Sequence, residues 1–155
     1  RDQGVSASSA GGALAVFNVL GIGTALVMPS LAGRFTDQRA LALLISLGWG
    51  IGIAGLLVSP EAYLVWSIVA GLAQGASISL AFALIVLRAR TSEVARGLSG
   101  AVQSIGYCIG ATGPFALGAL RDATPNWTVP LLAMLAVVVA MAAGAWQAGK
   151  NVTVG

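Results

Sequence analysis

The side chains able to do chemistry are few, and most are neutral. The chain has no histidine and one cysteine, Cys108. Histidine is the usual general base near neutral pH and the commonest metal ligand. A lone cysteine cannot close an internal disulfide, so Cys108 reads as a small buried hydrophobe. Gly97-Leu98-Ser99-Gly100 has the G-x-S-G form of an intramembrane serine nucleophile. Such a serine needs a base to take its proton, and the histidine that would do so is missing. The expectation is no enzyme, no bound metal and no cofactor.

What remains is hydrogen bonding. Asn18, Gln74, Gln103 and Tyr107 sit deep in apolar runs. They would offer neutral donors and acceptors to a small solute. At 1.5 Å rise per residue, Asn18 and Gln74 lie roughly 20 Å from either end of their runs, and Tyr107 lies roughly 15 Å above Gly97. Gln103 and Tyr107 are four residues apart and share a helical face. Ser67, Gly71, Gln74 and Ser77 share another. An unpaired amide is costly in hydrocarbon. These groups must therefore line a cavity or bond neighbouring helices as packing glue.

The elements that position them follow from composition. Of 155 residues, 57% are hydrophobic and 8% charged. A soluble domain carries about 25% charged residues, so part of the solvent must be lipid. Uncharged runs cover 3–33, 40–60, 62–87, 97–120 and 123–149. Each supplies the roughly 20 residues of a spanning helix. The expected fold is an all-α membrane bundle with spans at 6–33, 39–59, 62–88, 92–120 and 127–148. Open sheet is excluded in lipid because its edges stay unpaired. Ser6 can cap the first helix and Thr91-Ser92-Glu93 the fourth, while Pro60-Glu61 and Asp122 to Asn126 are punctuation. Pro114, after Gly113, should kink the fourth span. Gly48/Gly52, Gly71/Gly75 and Gly106/Gly110 are small-xxx-small pairs that let helices approach. Spans one, three and four are polar-lined, so spans two and five are expected to face lipid.

The charges give an orientation. Arg34, Arg39, Arg88, Arg90, Arg96 and Lys150 fall on one side, Arg1 and Arg121 on the other. The positive-inside rule puts loops 34–39 and 88–96 and the C-terminus in the cytoplasm. The N-terminus is then outside, and earlier spans are expected before Arg1. No secretory leader is read there. Tyr63, Trp66 and Trp127 near the outer interface and Trp146 near the inner one form an aromatic belt. The partners expected are the lipid bilayer and a small-molecule substrate, with no nucleic acid.

Several motifs carry a family resemblance. Gly4 to Gly11, GVSASSAG, resembles the outer loop and start of the eighth helix of a major facilitator superfamily transporter. Gly33, Asp37 and Arg39 lie in a loop that resembles that superfamily's inner motif, G-x-x-x-D-R-x-G-R. Gly33 and Asp37 match, Gln38 replaces the Arg, Arg39 is one place late, and the following Gly-Arg is missing. LRARTSEVARGLSGAVQSIGYCIGATGPFALGALRD, residues 87–122, is similar to the tenth-to-eleventh helix region of the cyanate and nitroimidazole transporter branch. Trp127 and Pro130 fit the start of that branch's last helix. The resemblance implies helices eight to twelve of a bacterial inner-membrane transporter, with an N-terminal transmembrane half outside this chain. It implies a small anion or nitroaromatic substrate moved by alternating access. It also implies that helices eight, ten and eleven line the cavity, the partition that the polar residues give independently. A non-transporting bundle or channel subunit is the competing class. No charged residue lies deep in any span, so a coupling carboxylate is expected in the other half.

Overall fold

The computed structural model describes residues 6–154. Arg1, counted above on the second side, and Gly4-Val5 of the outer-loop motif lie outside the described residues. Five α-helices follow one another: α1 (Ala7–Ala32), α2 (Arg39–Val58), α3 (Tyr63–Arg88), α4 (Ser92–Asp122) and α5 (Thr128–Ala148). A single 3₁₀ turn, Pro60–Ala62, joins α2 to α3. The helices fall on the five uncharged runs, and no strand element occurs among the described residues.

Local chemistry sets the ends. Ser6 Oγ accepts the Ser9 N–H at 3.1 Å and caps α1. Thr91 Oγ1 accepts the Val94 N–H at 3.2 Å and caps α4, whose first turn carries Glu93. A hydroxyl there satisfies a donor that has no intrahelical partner, and the acid suits the helix dipole. Pro60 has no N–H to donate and interrupts the run between α2 and α3.

Four elements are long and apolar enough to cross a membrane: α1, α2, α3 with its preceding turn, and α5. The longest helix, α4 with 31 residues, is not among them. Glycines, Gln103, Ser104 and Thr112 dilute its apolar stretch. Its packing differs too. α1 packs on α3, α3 on α2, and α2 on α5, whereas α4 touches α3 and α5 only lightly. No residue of α4 is buried. α2, expected on the lipid side, packs between α3 and α5 through Ala42, Ile45, Ser46, Gly52, Ile53 and Gly55 and leaves Leu44, Leu47, Ile51 and Val58 exposed. Its small residues explain this, because they leave a smooth face that two neighbours can approach.

The α1–α3 contact shows the same physics. Gly21 and Gly75 face each other with no room for a side chain, and a Cβ on Gly71 would sit 2.6 Å from the Phe17 carbonyl oxygen. Gly48 and Gly52 meet Ala73 and Ala70, where an added Cβ would lie at 3.1 and 3.0 Å. At Gly106 and Gly110 nothing lies within 4 Å. The third small-residue pair therefore holds no helix among the described residues. Hydroxyls tie the close pairs together. Thr24 Oγ1 donates to Leu72 O at 3.0 Å, Ser79 Oγ to Ala25 O at 2.8 Å, and Trp49 Nε1 to Ser77 Oγ at 3.0 Å.

Candidate functional site

The α1–α3 pair brings two of the four expected polar residues together. Phe17 meets Gly71, Gly21 meets Gly75, and Ala25 accepts from Ser79. The offset is constant, so the helices run parallel and in register. Asn18 and Gln74 each stand eleven residues after the start of a 26-residue helix, which is roughly 17 Å along it. The contacts set Gln74 opposite Leu20, so Gln74 lies about 3 Å along the helix axis from Asn18, and both are near mid-helix.

Both line a shallow cavity of about 160 Å³, more open than enclosed, with Gly21, Ile22, Gly75 and Ile78. The glycines make it. They draw the two backbones close and leave no side chain at the crossing, so Gln74 reaches across until its Oε1 lies against Gly21. A methyl group on Gly21 would collide with that oxygen. Asn18 is exposed and donates through Nδ2 to Leu14 O, one turn back, at 2.8 Å. The cavity has neutral amides and no titratable side chain in its lining. It can offer hydrogen bonds to a small polar solute. It is smaller than the roughly 300 Å³ at which pockets for drug-sized ligands begin.

Gln103 and Tyr107 are elsewhere, on α4. Gln103 Nε2 donates to Ser99 Oγ, one turn back, at 2.7 Å. Tyr107 is 71% exposed. Neither lines the Asn18–Gln74 cavity. Gly113-Pro114 does not end α4, which runs on to Asp122.

The loop between α1 and α2 is a packed structure. Gly33 closes α1, its N–H bonding to Pro29 O at 3.0 Å. Asp37 Oδ1 accepts the Arg39 N–H at 2.9 Å, and its Oδ2 lies 3.2 Å from Arg39 Nε. The Arg39 guanidinium sits 5.1 Å from the Trp146 ring centre. Between them Gln38 is only 1% exposed. Its Nε2 donates to Ala32 O at 3.1 Å and its N–H to Gly149 O at 3.0 Å. Its Oε1 accepts from Arg88 Nη2, which also reaches Gly149 O at 3.0 Å. One glutamine thus joins the ends of α1, α3 and α5. Sequence reasoning saw Gln38 only as a departure from a motif. A lone glutamine between Asp37 and Arg39 gives no signal of burial. The Arg88 and Gly149 that enclose it are 50 and 111 residues away.

Comparison with known proteins decides the family. The chain is 35% identical over 153 residues to the uncharacterized transporter YycB of Bacillus subtilis (strain 168), covering 97% of this chain and 38% of that one. It is 32% identical over 149 residues to the 2-nitroimidazole transporter of Escherichia coli (strain K12), covering 96% and 38%. The chain belongs to the nitroimidazole and cyanate transporter branch of the major facilitator superfamily. The cyanate transport protein CynX of Escherichia coli (strain K12) is 30% identical over 125 residues, covering 80% of this chain and 32% of that protein. The chain thus spans about a third of the length of these relatives, from 32% to 38%. No protein-family model and no solved structure matches it.

Proposed function

We propose that this chain is the C-terminal part of a secondary transporter of the bacterial cytoplasmic membrane. It carries a small solute by alternating access, in which two halves rock about a site at mid-membrane. The observation that carries the reading is the glycine-built cavity near mid-helix, lined by Asn18 and Gln74 with no charge inside. The transport relatives support the same reading. The substrate is a small polar molecule such as cyanate or a nitroimidazole-like compound, held by neutral hydrogen bonds. Gln103 and Tyr107 join this site when α4 moves toward α1 and α3, with Gly113 and Pro114 as the bend. Gly33, Asp37 and Arg39 hold the loop that α2 starts from. A partner transmembrane half supplies the opposite wall and any coupling carboxylate.

Uptake of labelled cyanate and of a 2-nitroimidazole by the intact protein tests this. Gln74→Ala is expected to lower transport about tenfold or more while membrane insertion stays normal. That corresponds to the loss of about 1.4 kcal/mol of hydrogen bonding to the solute. Wild-type kinetics in Gln74→Ala and Asn18→Ala would remove the site. Absence of uptake by the unmodified intact protein would favour a non-transporting bundle.

A further inference from the structure

Arg88 is only 8% exposed. Its Nη2 bonds Gln38 Oε1 and Gly149 O, and neither acceptor carries charge. Its Nε is buried with no hydrogen-bond partner. Among the described residues Arg88 forms no ion pair; the pair that does form is Asp37–Arg39. A buried cation without a counter-charge is strongly disfavoured. It points to an anion supplied from outside the chain.

The surroundings say which kind. Arg88 lines a cleft of about 710 Å³ whose walls come from α2, α3, α4, α5 and the C-terminal tail. Lys150 lines it too. Between them these residues put two cations at the end where α3 and α5 leave the bundle. The remaining wall is almost wholly apolar, with Leu80, Leu84, Val102 and Met141 along it. The occupant that fits has an anionic head and a hydrocarbon tail. Arg88 is the last residue of α3, so its guanidinium sits at the level where a spanning helix leaves the hydrocarbon. A phospholipid head lies at that level, whereas a transported solute is bound at mid-depth. Basic pockets between membrane helices bind lipid head groups in this way.

We propose that this cleft holds an anionic phospholipid from the leaflet on the side of residues 33–38 and 89–91. Its phosphate sits on Arg88 and Lys150, and one acyl chain lies between α3 and α5 under α4. The site shares no polar residue with the Asn18–Gln74 cavity and meets it only at Ile78, so its failure leaves the transport reading untouched, and the converse holds.

Native mass spectrometry of the intact protein, exchanged between phosphatidylglycerol and phosphatidylcholine, reads the site directly. The unmodified protein retains phosphatidylglycerol at least about fivefold over phosphatidylcholine, the factor expected for one basic contact at a membrane surface. Arg88→Gln removes the charge and keeps donors for Gln38 and Gly149; it is expected to abolish the preference. Ala81→Trp fills the cleft without touching Arg88, and Lys150→Gln removes the second cation. Both lower phosphatidylglycerol retention, and they carry the test if Arg88→Gln does not fold. Equal retention of the two lipids by the unmodified protein overturns the proposal. So does unchanged retention in Ala81→Trp and Lys150→Gln, which would mean annular lipid. Displacement of phosphatidylglycerol by benzoate, an anion without a long tail, would assign the cleft to a soluble aryl anion instead.

Discussion

Single residues in this chain act mostly by being small or by being satisfied. Gly21, Gly71 and Gly75 set the α1–α3 distance, because any Cβ there meets backbone or the Gln74 amide. Backbone cannot rotate out of the way as a side chain can. Gly75→Leu is therefore expected to destabilise the intact protein in detergent by about 1–3 kcal/mol, the cost of overpacking a close contact. Gly106→Ala, with nothing within 4 Å in this chain, should change stability by less than about 0.5 kcal/mol. Thermal denaturation of the two variants checks both values. Equal destabilisation would mean that another segment covers α4 at Gly106. Gln38 acts by satisfaction. Gln38→Leu would remove the side-chain donor to the Ala32 and Phe35 carbonyls and one acceptor of Arg88 Nη2, which keeps Gly149 O. A hydrogen bond of this kind contributes about 0.5–1.5 kcal/mol, and several are lost together, so the melting temperature should fall clearly. Gln38→Glu would place an acid beside Arg88 and is expected to be tolerated better than leucine. A leucine variant as stable as the parent would show that the three-helix junction contributes nothing.

Among the elements, α4 stands apart, and its polar face has no partner among the described residues. A cysteine replacing Gln103 should react with a water-soluble thiol reagent in the intact protein, and one replacing Leu135 on α5 should not. Labelling rates differing by about tenfold or more would separate a wetted face from a lipid face. The reverse order would place α4 in lipid and α5 at the water path. The helices themselves were legible in the sequence, because charge, proline and hydroxyl caps punctuate long apolar runs: Thr91 and Glu93 mark the start of α4, and Pro60 splits α2 from α3. Asn18 and Gln74 were legible for the same reason, since a lone amide stands out in hydrocarbon. Their neighbours were not. Periodicity places Ser77 on the face of Gln74, yet Ser77 Oγ accepts from Trp49 of α2. A serine can turn its hydroxyl to a helix or to a cavity, and residue type does not distinguish the two. The packed face of α2 was hidden too, because a helix without strong polar groups suits a protein interior as well as lipid.

For the whole molecule, the decisive asymmetry is electrical. Arg34, Arg39, Arg88, Arg90 and Lys150 lie in or beside the segments that Gln38, Arg88 and Gly149 bind together. Arg90 also holds the tail, its Nε donating to Thr153 Oγ1 at 3.1 Å, while the Val154 N–H bonds to Arg88 O at 2.7 Å. Arg121, in the last turn of α4 and so at the opposite end of that helix from Arg90 and Arg96, sits 5.7 Å from the Trp127 ring centre. Lysine and arginine near span ends are retained on the cytoplasmic side, so this end is expected to face the cytoplasm. A green fluorescent protein fused after Gly155 should then fluoresce, and alkaline phosphatase inserted at 123–126 should be active. Inactive phosphatase there, with a dark C-terminal fusion, would invert the topology and move the phospholipid cleft to the outer leaflet. The rule also says which residues carry the bias. Arg39 and Arg88 are fixed by packing, whereas Arg34, Arg90 and Arg96 are exposed. Replacing those three by glutamine removes half of the six cations on this side and leaves the Gln38 junction intact. A mixed population, with part of the phosphatase signal lost, is expected from that variant. An unchanged signal would mean that the orientation is imposed by spans preceding α1 and owes nothing to the charges of this chain.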